Sequence, residues 1–323
     1  MKDETISPLV RPSAPKAASS HGQGTIGFVG LGHMGTAMAA NLAASGHQVA
    51  AYVRRPDQMG SLIGLGLRPT LEFASIFDCG IVISMLPDDA AVRDVATGLA
   101  SGLKDGAIHL SMSTISTATA SRLAEQHARY GQSYIAAPVF GNPDAARARQ
   151  LFIVAAGAAA NVKRCQPLFD SIGQKTFLVG TDPSQANLVK LLGNMMTATT
   201  LEMLGEVVAV ALKRGLDPKA FIDIMTSTMF GGRAHKIYGD KIVSQSYAAG
   251  FVLPLVLKDV RLVLAEAESV AAPMPSVDVV RDRLITGIAR GYADLDWSAL
   301  GLIAAQEAGL NIPSPVAPHQ SAV

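Results

Sequence analysis

From Thr25 to about residue 180, short apolar runs alternate with amphipathic stretches; beyond that point the alternation stops. Thr25-Ile-Gly-Phe-Val29, Gln48-Val-Ala-Ala-Tyr52 and Cys79-Gly-Ile-Val-Ile-Ser84 predict strands, with a further short strand near Leu67. Ala107-Ile-His-Leu110 and Ser133 to Ala136 continue the series, and Leu151-Phe-Ile-Val-Ala155 and Thr176-Phe-Leu-Val179 extend it. Between them, Met34 to Ala44 and the stretches at about 89–100 and 117–129 read as helices. The first of these is small on one side (Ala37, Ala40, Ala44), as a helix lying close on a sheet must be. Strands that are apolar throughout, rather than at every second position, are buried on both faces, which predicts a parallel sheet covered by helices.

After Gly180 helical signals dominate. Gln185 to Arg214 predicts one helix of about 30 residues, closed by Gly215 and followed by a new start at Asp217-Pro218. At 1.5 Å per residue it would run about 45 Å, longer than one small domain needs. The predicted fold is α/β: a doubly wound parallel sheet at residues 24–180, then an all-α domain at 181–312, joined by this long interdomain helix. Residues 1–23, rich in Ser, Pro and Ala without the apolar run of a secretory signal, read as a flexible leader, and 313–323 as a flexible tail. No internal repeat is found.

Composition narrows the function classes. With 49% hydrophobic and 16% charged residues the chain is globular rather than disordered. A formal charge of +1, from 27 basic and 26 acidic residues, lacks the electrostatic footprint of a nucleic-acid binder. Cys79 and Cys165 lie in no metal or redox motif and read as small buried hydrophobes. The longest apolar stretch, Leu188 to Leu212, is interrupted by Lys190, Asn194, Glu202 and Glu206, which fits a buried helix better than a membrane span. The expectation is a cytoplasmic protein without membrane or nucleic-acid partners. The long apolar helix further predicts a homodimer or homotetramer.

Chemistry enters with Gly30-Leu31-Gly32-His33-Met34-Gly35, a GxGxxG run that follows a predicted strand and opens a predicted helix. Gly30 permits the tight turn, Gly32 lets backbone approach a pyrophosphate, and Gly35 lets helix close on strand. The helix N-terminus offers free N–H groups to phosphate. This is the fingerprint of a Rossmann-type dinucleotide site. An enzyme for NAD usually carries Asp or Glu at the end of the second strand; here the chain reads Tyr52-Val-Arg54-Arg55-Pro56. Two guanidinium groups suit a 2′-phosphate, so the expected cofactor is NADP(H), although two solvated arginines after a strand would read the same way. Met85, Leu86 and Pro87 follow the strand ending at Ser84 and are placed to line the dinucleotide.

A wider set of ordered motifs resembles one family. These are Gly30 to Leu42, Ser113-Thr114, Ala137-Pro-Val-Phe-Gly141, Lys190-Leu-Leu-Gly-Asn194, and Phe251 followed by Lys258-Asp-Val-Arg-Leu262. Together they resemble the β-hydroxyacid dehydrogenases, which include 3-hydroxyisobutyrate dehydrogenase and the glyoxylate/succinic semialdehyde reductases. The resemblance implies that Lys190 is the catalytic acid/base with Asn194 beside it, and that Ser113 lies near the substrate. It also implies that Thr114 meets the cofactor near the nicotinamide, and that Lys258 closes over it. The residues themselves agree that Lys190 and Asn194, at i and i+4, share a helix face. Burial of such a lysine should lower its pKa. For Ser113 and Thr114, capping of the helix that begins near Thr117 is the competing reading, and for Lys258-Asp259 an exposed helix face.

The resemblance fails in the substrate loop, Ala136-Ala-Pro-Val-Phe140-Gly141-Asn142. Phe140 stands where the family has a serine that helps hold the substrate carboxylate, and Asn142 where it has glycine; Ser111 replaces an aspartate. With Ser113, Phe140, Gly141 and Asn142 as substrate residues, the pocket should be more apolar than one built for small 3-hydroxy acids. The expected activity is NADPH-dependent hydride transfer between nicotinamide and a small carbonyl or hydroxy compound. An imine or ketone reductase and a non-catalytic NADP-binding scaffold are the alternatives. His33, inside the glycine run, reads as facing cofactor or solvent, His109 (in a strand) and His235 (in a loop) as structural, Asp88 and Asp89 as caps of the next helix, and no residue cluster predicts a metal.

Overall fold

The structure, a computed structural model, describes residues 24–315; the leader at 1–23 and the tail beyond 315 lie outside them. β1 (Ile26–Val29) is buried along its whole length and turns directly into α1 (His33–Ala44), which buries Ala37, Met38, Ala39 and Leu42 against the sheet. β2 (Val49–Tyr52), α2 (Met59–Ile63) and β3 (Arg68–Thr70) build one side of β1. The chain then crosses to the other side with β4 (Ile81–Ser84), α3 (Asp89–Gly102), β5 (Ile108–Ser111), α4 (Thr117–Ala128) and β6 (Ser133–Ala136). The parallel order is β3-β2-β1-β4-β5-β6. Winding therefore reverses at β1, and a crevice opens outside the carboxyl ends of β1 and β4, where open α/β sheets bind ligands.

The sheet is not parallel throughout. After β7 (Val139–Phe140) and the short α5 (Pro143–Arg147), β8 (Leu151–Ala156) returns antiparallel to both β6 and β7. Fourteen intervening positions that include a one-turn helix double the chain back instead of carrying it across a sheet face. After α6 (Ala159–Ile172), β9 (Gly173–Gly180) pairs parallel with β8 and ends the sheet.

Two capping expectations separate here. Asp88 caps α3, accepting from Ala91 N at 2.9 Å, but Asp89 reaches across to α4, accepting from Ser116 N at 2.9 Å and Thr119 Oγ1 at 2.8 Å. The cap of α4 is Ser116, accepting from Thr119 N at 3.1 Å, rather than Ser113 or Thr114. His109 is structural, as expected. Ser84 Oγ lies 2.9 Å from His109 Nε2, His109 Nδ1 lies 2.9 Å from His127 Nε2, and His127 Nδ1 lies 2.7 Å from Gln132 Oε1. Gln132 donates its amide to the carbonyls of Ala100 and Leu103, so its oxygen must accept, and the tautomer of each ring follows in turn. Cys79 and Cys165 are buried free thiols.

The long helix, α7 (Pro183–Lys213), has 31 residues and is capped by Asp182. It packs on α4, β6, β8 and β9 as well as on the helices that follow. Among the described residues it is the one helix long and apolar enough to cross a membrane, yet half of its most apolar window is buried within the protein. Lys190, Asn194 and Glu202 are buried with it. The helical half continues with α8 (Pro218–Ser227), α9 (Arg233–Val243), α10 (Leu253–Ser269), α11 (Pro275–Ala289) and α12 (Leu300–Glu307). Its core gathers Leu191, Leu201, Val256, Val260, Leu284 and Leu300. His235 lies in the first turn of α9, not in a loop. α7 and α12 cross closely enough that a Cβ on Gly205 would lie 2.8 Å from Gly301 Cα.

Candidate active site

The turn from β1 to α1 is shaped by its glycines. Gly30 has φ +95°, and a Cβ there would meet Met85 O at 2.2 Å; a Cβ on Gly35 would meet Gly30 O at 1.9 Å. Both contacts draw strand, turn and helix together. At Gly32, by contrast, a Cβ would meet no protein atom within 4 Å, so this backbone faces open space at the start of α1. A helix N-terminus with an open, side-chain-free approach fits a dinucleotide pyrophosphate. His33 is exposed at the first position of α1, and Leu31 packs against the sheet core. Across the crevice, Leu86 N donates to Ser113 Oγ at 2.8 Å, which fixes the Met85-Leu86-Pro87 turn. Arg54 and Arg55 are exposed just past the end of β2. No carboxylate intervenes before Asp57, to which Arg55 approaches only at 3.8 Å.

A cleft of about 340 Å3 joins this crevice to the helical half. Met34, Met85 and Thr114 line it from the Rossmann side, Phe140, Gly141 and Asn142 from the loop after β6, and Lys190, Asn194 and Thr197 from α7. Eight of the residues singled out from the sequence thus share one cavity. Ser113 is not among them. Its side chain is buried behind the wall and positions Leu86, so it supports the loop rather than facing the cleft.

Lys190 stands at one end of a fixed chain of polar groups. Its Nζ donates to Asn194 Oδ1 at 2.8 Å, and Asn194 Nδ2 donates to Asp259 Oδ2 at 2.6 Å. Asp259 is 1% exposed and forms an ion pair with Lys258 at 2.8 Å. Lys258 in turn donates to Thr114 O at 2.6 Å, tying α10 to the Rossmann half. The exposed-face reading of Lys258-Asp259 does not hold. Burial pushes the Lys190 ammonium down to about 8, with the Asp259 carboxylate opposing the shift and the Lys258 charge adding to it. The Phe140 ring faces Lys190 Nζ at 4.4 Å. Asn142 accepts from Ala145 N at 2.9 Å and so caps α5, which removes its carbonyl from the cleft's free acceptors.

Sequence reasoning missed Asp259 as a member of this chain, because one acidic residue beside a lysine on a helix gives no sign of which one turns inward. It also missed α9 and the segment around Trp297, and read Phe251 only as part of a motif; Arg233, Tyr238, Phe251 and Trp297 complete the cleft. These residues come together only through tertiary packing. Among the described residues no cluster of His, Cys, Asp or Glu could hold a metal.

Comparison with known proteins agrees with this architecture. Residues 25–180 match the family model for the NAD binding domain of 6-phosphogluconate dehydrogenase. Residues 184–303 match that for the NAD-binding domain of NADP-dependent 3-hydroxyisobutyrate dehydrogenase. The chain is 38% identical over 283 residues to the uncharacterized oxidoreductase YfjR of Bacillus subtilis, covering 85% of this chain and 98% of that protein. It is 30% identical over 280 residues to the 2-hydroxy-3-oxopropionate reductase of Escherichia coli, covering 85% and 95%. In three dimensions it resembles the Mycobacterium tuberculosis 3-hydroxyisobutyrate dehydrogenase solved with L-serine, with a TM-score of 0.80, 25% identity, and coverage of 87% of this chain and 98% of the other. A doubly wound NAD(P)-binding sheet, a long connecting helix that carries a buried Lys-Asn pair, and these matches lead to one conclusion. The chain belongs to the β-hydroxyacid dehydrogenase family, NAD(P)-binding oxidoreductases that act on CH–OH and C=O groups.

Proposed function

We propose that this protein is an NADPH-dependent reductase that interconverts a small carbonyl compound and the corresponding alcohol, with Lys190 as general acid/base. The observation that carries the reading is the placement of Lys190: a buried ammonium, oriented by Asn194, on the wall of a cleft continuous with the dinucleotide crevice. Gly30, Gly32 and Gly35 shape the pyrophosphate cradle. Met34, Met85 and Thr114 line the nicotinamide end, and Arg54 and Arg55 take the 2′-phosphate. When bound, the cofactor supplies or accepts the hydride. Lys190 does the rest of the chemistry: in the reducing direction its Nζ polarises the carbonyl oxygen and gives up a proton to it, and in the oxidising direction the neutral amine takes that proton back. A pKa near 8 leaves both forms populated at working pH, which is what a group with two directions requires. Asn194 holds Nζ in place, and Asp259 holds Asn194.

A cytoplasmic location and self-association through the exposed side of α7 belong to the same proposal. The test is Lys190→Ala: turnover should fall by orders of magnitude while NADPH binding, followed by fluorescence titration, stays close to wild type. Arg54→Ala with Arg55→Ala should instead abolish the preference for NADPH over NADH. Retained turnover in the lysine variant would sink the assignment.

A further inference from the structure

The Lys190 ammonium carries three N–H bonds. One of them goes to Asn194 Oδ1 at 2.8 Å, a partner on the same helix. On a second side stands the Phe140 ring, with Nζ over its face at 4.4 Å from the centroid. Lys190 lines the cleft, so the third direction is turned to whatever the cleft holds. The ring itself is fixed without help from the lysine. Phe140 ends β7, where it pairs with Phe152 of β8. Its side chain packs against a buried cluster that includes Val154, Ala156 and, from α7 itself, Ala186, one turn before Lys190.

An aromatic face is negative, and its pull on an ammonium grows where water is excluded. Lys190 is buried, so the ring meets Nζ under those conditions. It attracts the cation and repels the lone pair of the neutral amine, which therefore turns away from the ring as well. The charged groups that bear on Nζ are Asp259 and Lys258, both on α10. Arg233 and Lys241 of α9 and Asp296 line the same cleft, the last two as an ion pair at 3.2 Å. A change confined to the ring alters none of these five groups.

We propose that Phe140 is a positioning residue for Lys190: its ring holds one side of Nζ, so that the remaining N–H bond, or the lone pair of the free amine, points at the reacting oxygen. The inference rests on the acid/base reading above and adds to it the residue that aims the acid. Asn194 fixes Nζ from along its own helix, and Phe140 fixes it from the edge of the sheet. One partner alone would leave the ammonium free to swing about that single bond. Two partners from separate elements leave one direction for the proton.

The experiment titrates Lys190 in the full chain by 13Cε NMR of labelled lysines, its resonance assigned by its loss in Lys190→Arg. The pH profile of NADPH-dependent carbonyl reduction is measured alongside. Two proteins weaken the negative face: Phe140→Leu, and a chain carrying a fluorinated phenylalanine at position 140, which keeps the shape of the ring and so its packing. Both should lower the Lys190 midpoint, in Phe140→Leu by about 0.5–1.5 in pH, as for loss of a desolvated cation–π contact. The reduction profile should move with it, so that lost turnover returns in part as the pH is lowered. In the fluorinated protein the change should lie in kcat rather than KM. Midpoints unmoved in both proteins, with reduction intact, overturn the inference and leave the reductase reading standing. A loss of turnover that no change of pH relieves also overturns it, since the ring would then serve packing alone. If the midpoints move while the wild type binds NADPH and reduces no carbonyl compound, the acid/base reading falls, and the aim at a reacting oxygen with it.

Discussion

A Cβ on Gly193 would lie 2.5 Å from the Phe140 ring, the same ring that faces Lys190 Nζ at 4.4 Å. The aromatic residue in β7 and the missing side chain on α7 are therefore two halves of one arrangement: the ring fits beside the lysine only because position 193 has no methyl to exclude it.

Gly193→Ala should force the ring away from Nζ. We expect a stability loss of about 1–3 kcal/mol, typical of overpacking, together with reduced turnover. Adding Phe140→Ala should relieve the clash, so the two substitutions should couple strongly in a double-mutant cycle of thermal stability. Additive effects would show that the ring does not pack on residue 193.

The Lys190 chain makes a prediction about pH. With the ammonium near 8, the proposed acid/base role of Lys190 requires carbonyl reduction to decline as pH rises through about 8. Alcohol oxidation, which needs the free amine, should rise over the same range. The Asp259 carboxylate supports the ammonium, so Asp259→Asn should move the midpoint of both profiles to lower pH. Profiles with an unmoved midpoint would detach Asp259 from the lysine.

Stability should follow a different pair. Burial lowers the pKa of His109 strongly, with the neighbouring His127 adding to the shift; burial also lowers His127, against the bond it donates to Gln132. Both rings are thus neutral in the folded protein at a pH where the unfolded chain, with histidines near 6.5, begins to bind protons. The stabilisation is complete above that value and is lost as pH falls below it. The thermal midpoint should drop under about pH 6.5, while imidazole 15N shifts of both rings remain those of neutral tautomers until unfolding. A ring that titrates in the native state near its ordinary value would contradict the burial argument.

Self-association is tested on α7, where Val189, Leu192, Met196, Met203, Val207 and Val210 form one exposed stripe at three-, four- and seven-residue spacing. Light scattering should return at least twice the 33.6 kDa of one chain. Met196→Glu with Val210→Glu, at positions 74% and 64% exposed, should shift the mass toward one chain. A single-chain mass for the wild type would leave the stripe without this explanation.

Much of this was legible in the order of residues, for identifiable reasons. The Rossmann half declares itself because its central strands, such as β1 and β4, are largely apolar and the glycine run sits between a strand and a helix, signals that are local. α7 was legible because its apolar stretch is long and Gly215 closes it, although the helix starts at Pro183, behind its Asp182 cap, rather than at Gln185. The antiparallel return at β8 was not, since β7 has only two residues and its partner is distant in sequence. Ser113 matched a motif, yet its hydroxyl turned to Leu86 instead of the cleft, a choice set by backbone geometry. Asp259 carries no local signal at all; it matters for what it is bonded to.

The reach of α7 has a practical consequence. Lys190 rides near one end of a rod whose other end, at Gly205 and Val208, is locked into the helical core. Loosening that distant core should carry Lys190 out of register with Asn194 and Asp259, so heat inactivation should track melting of the C-terminal half even where the nucleotide cradle stays intact.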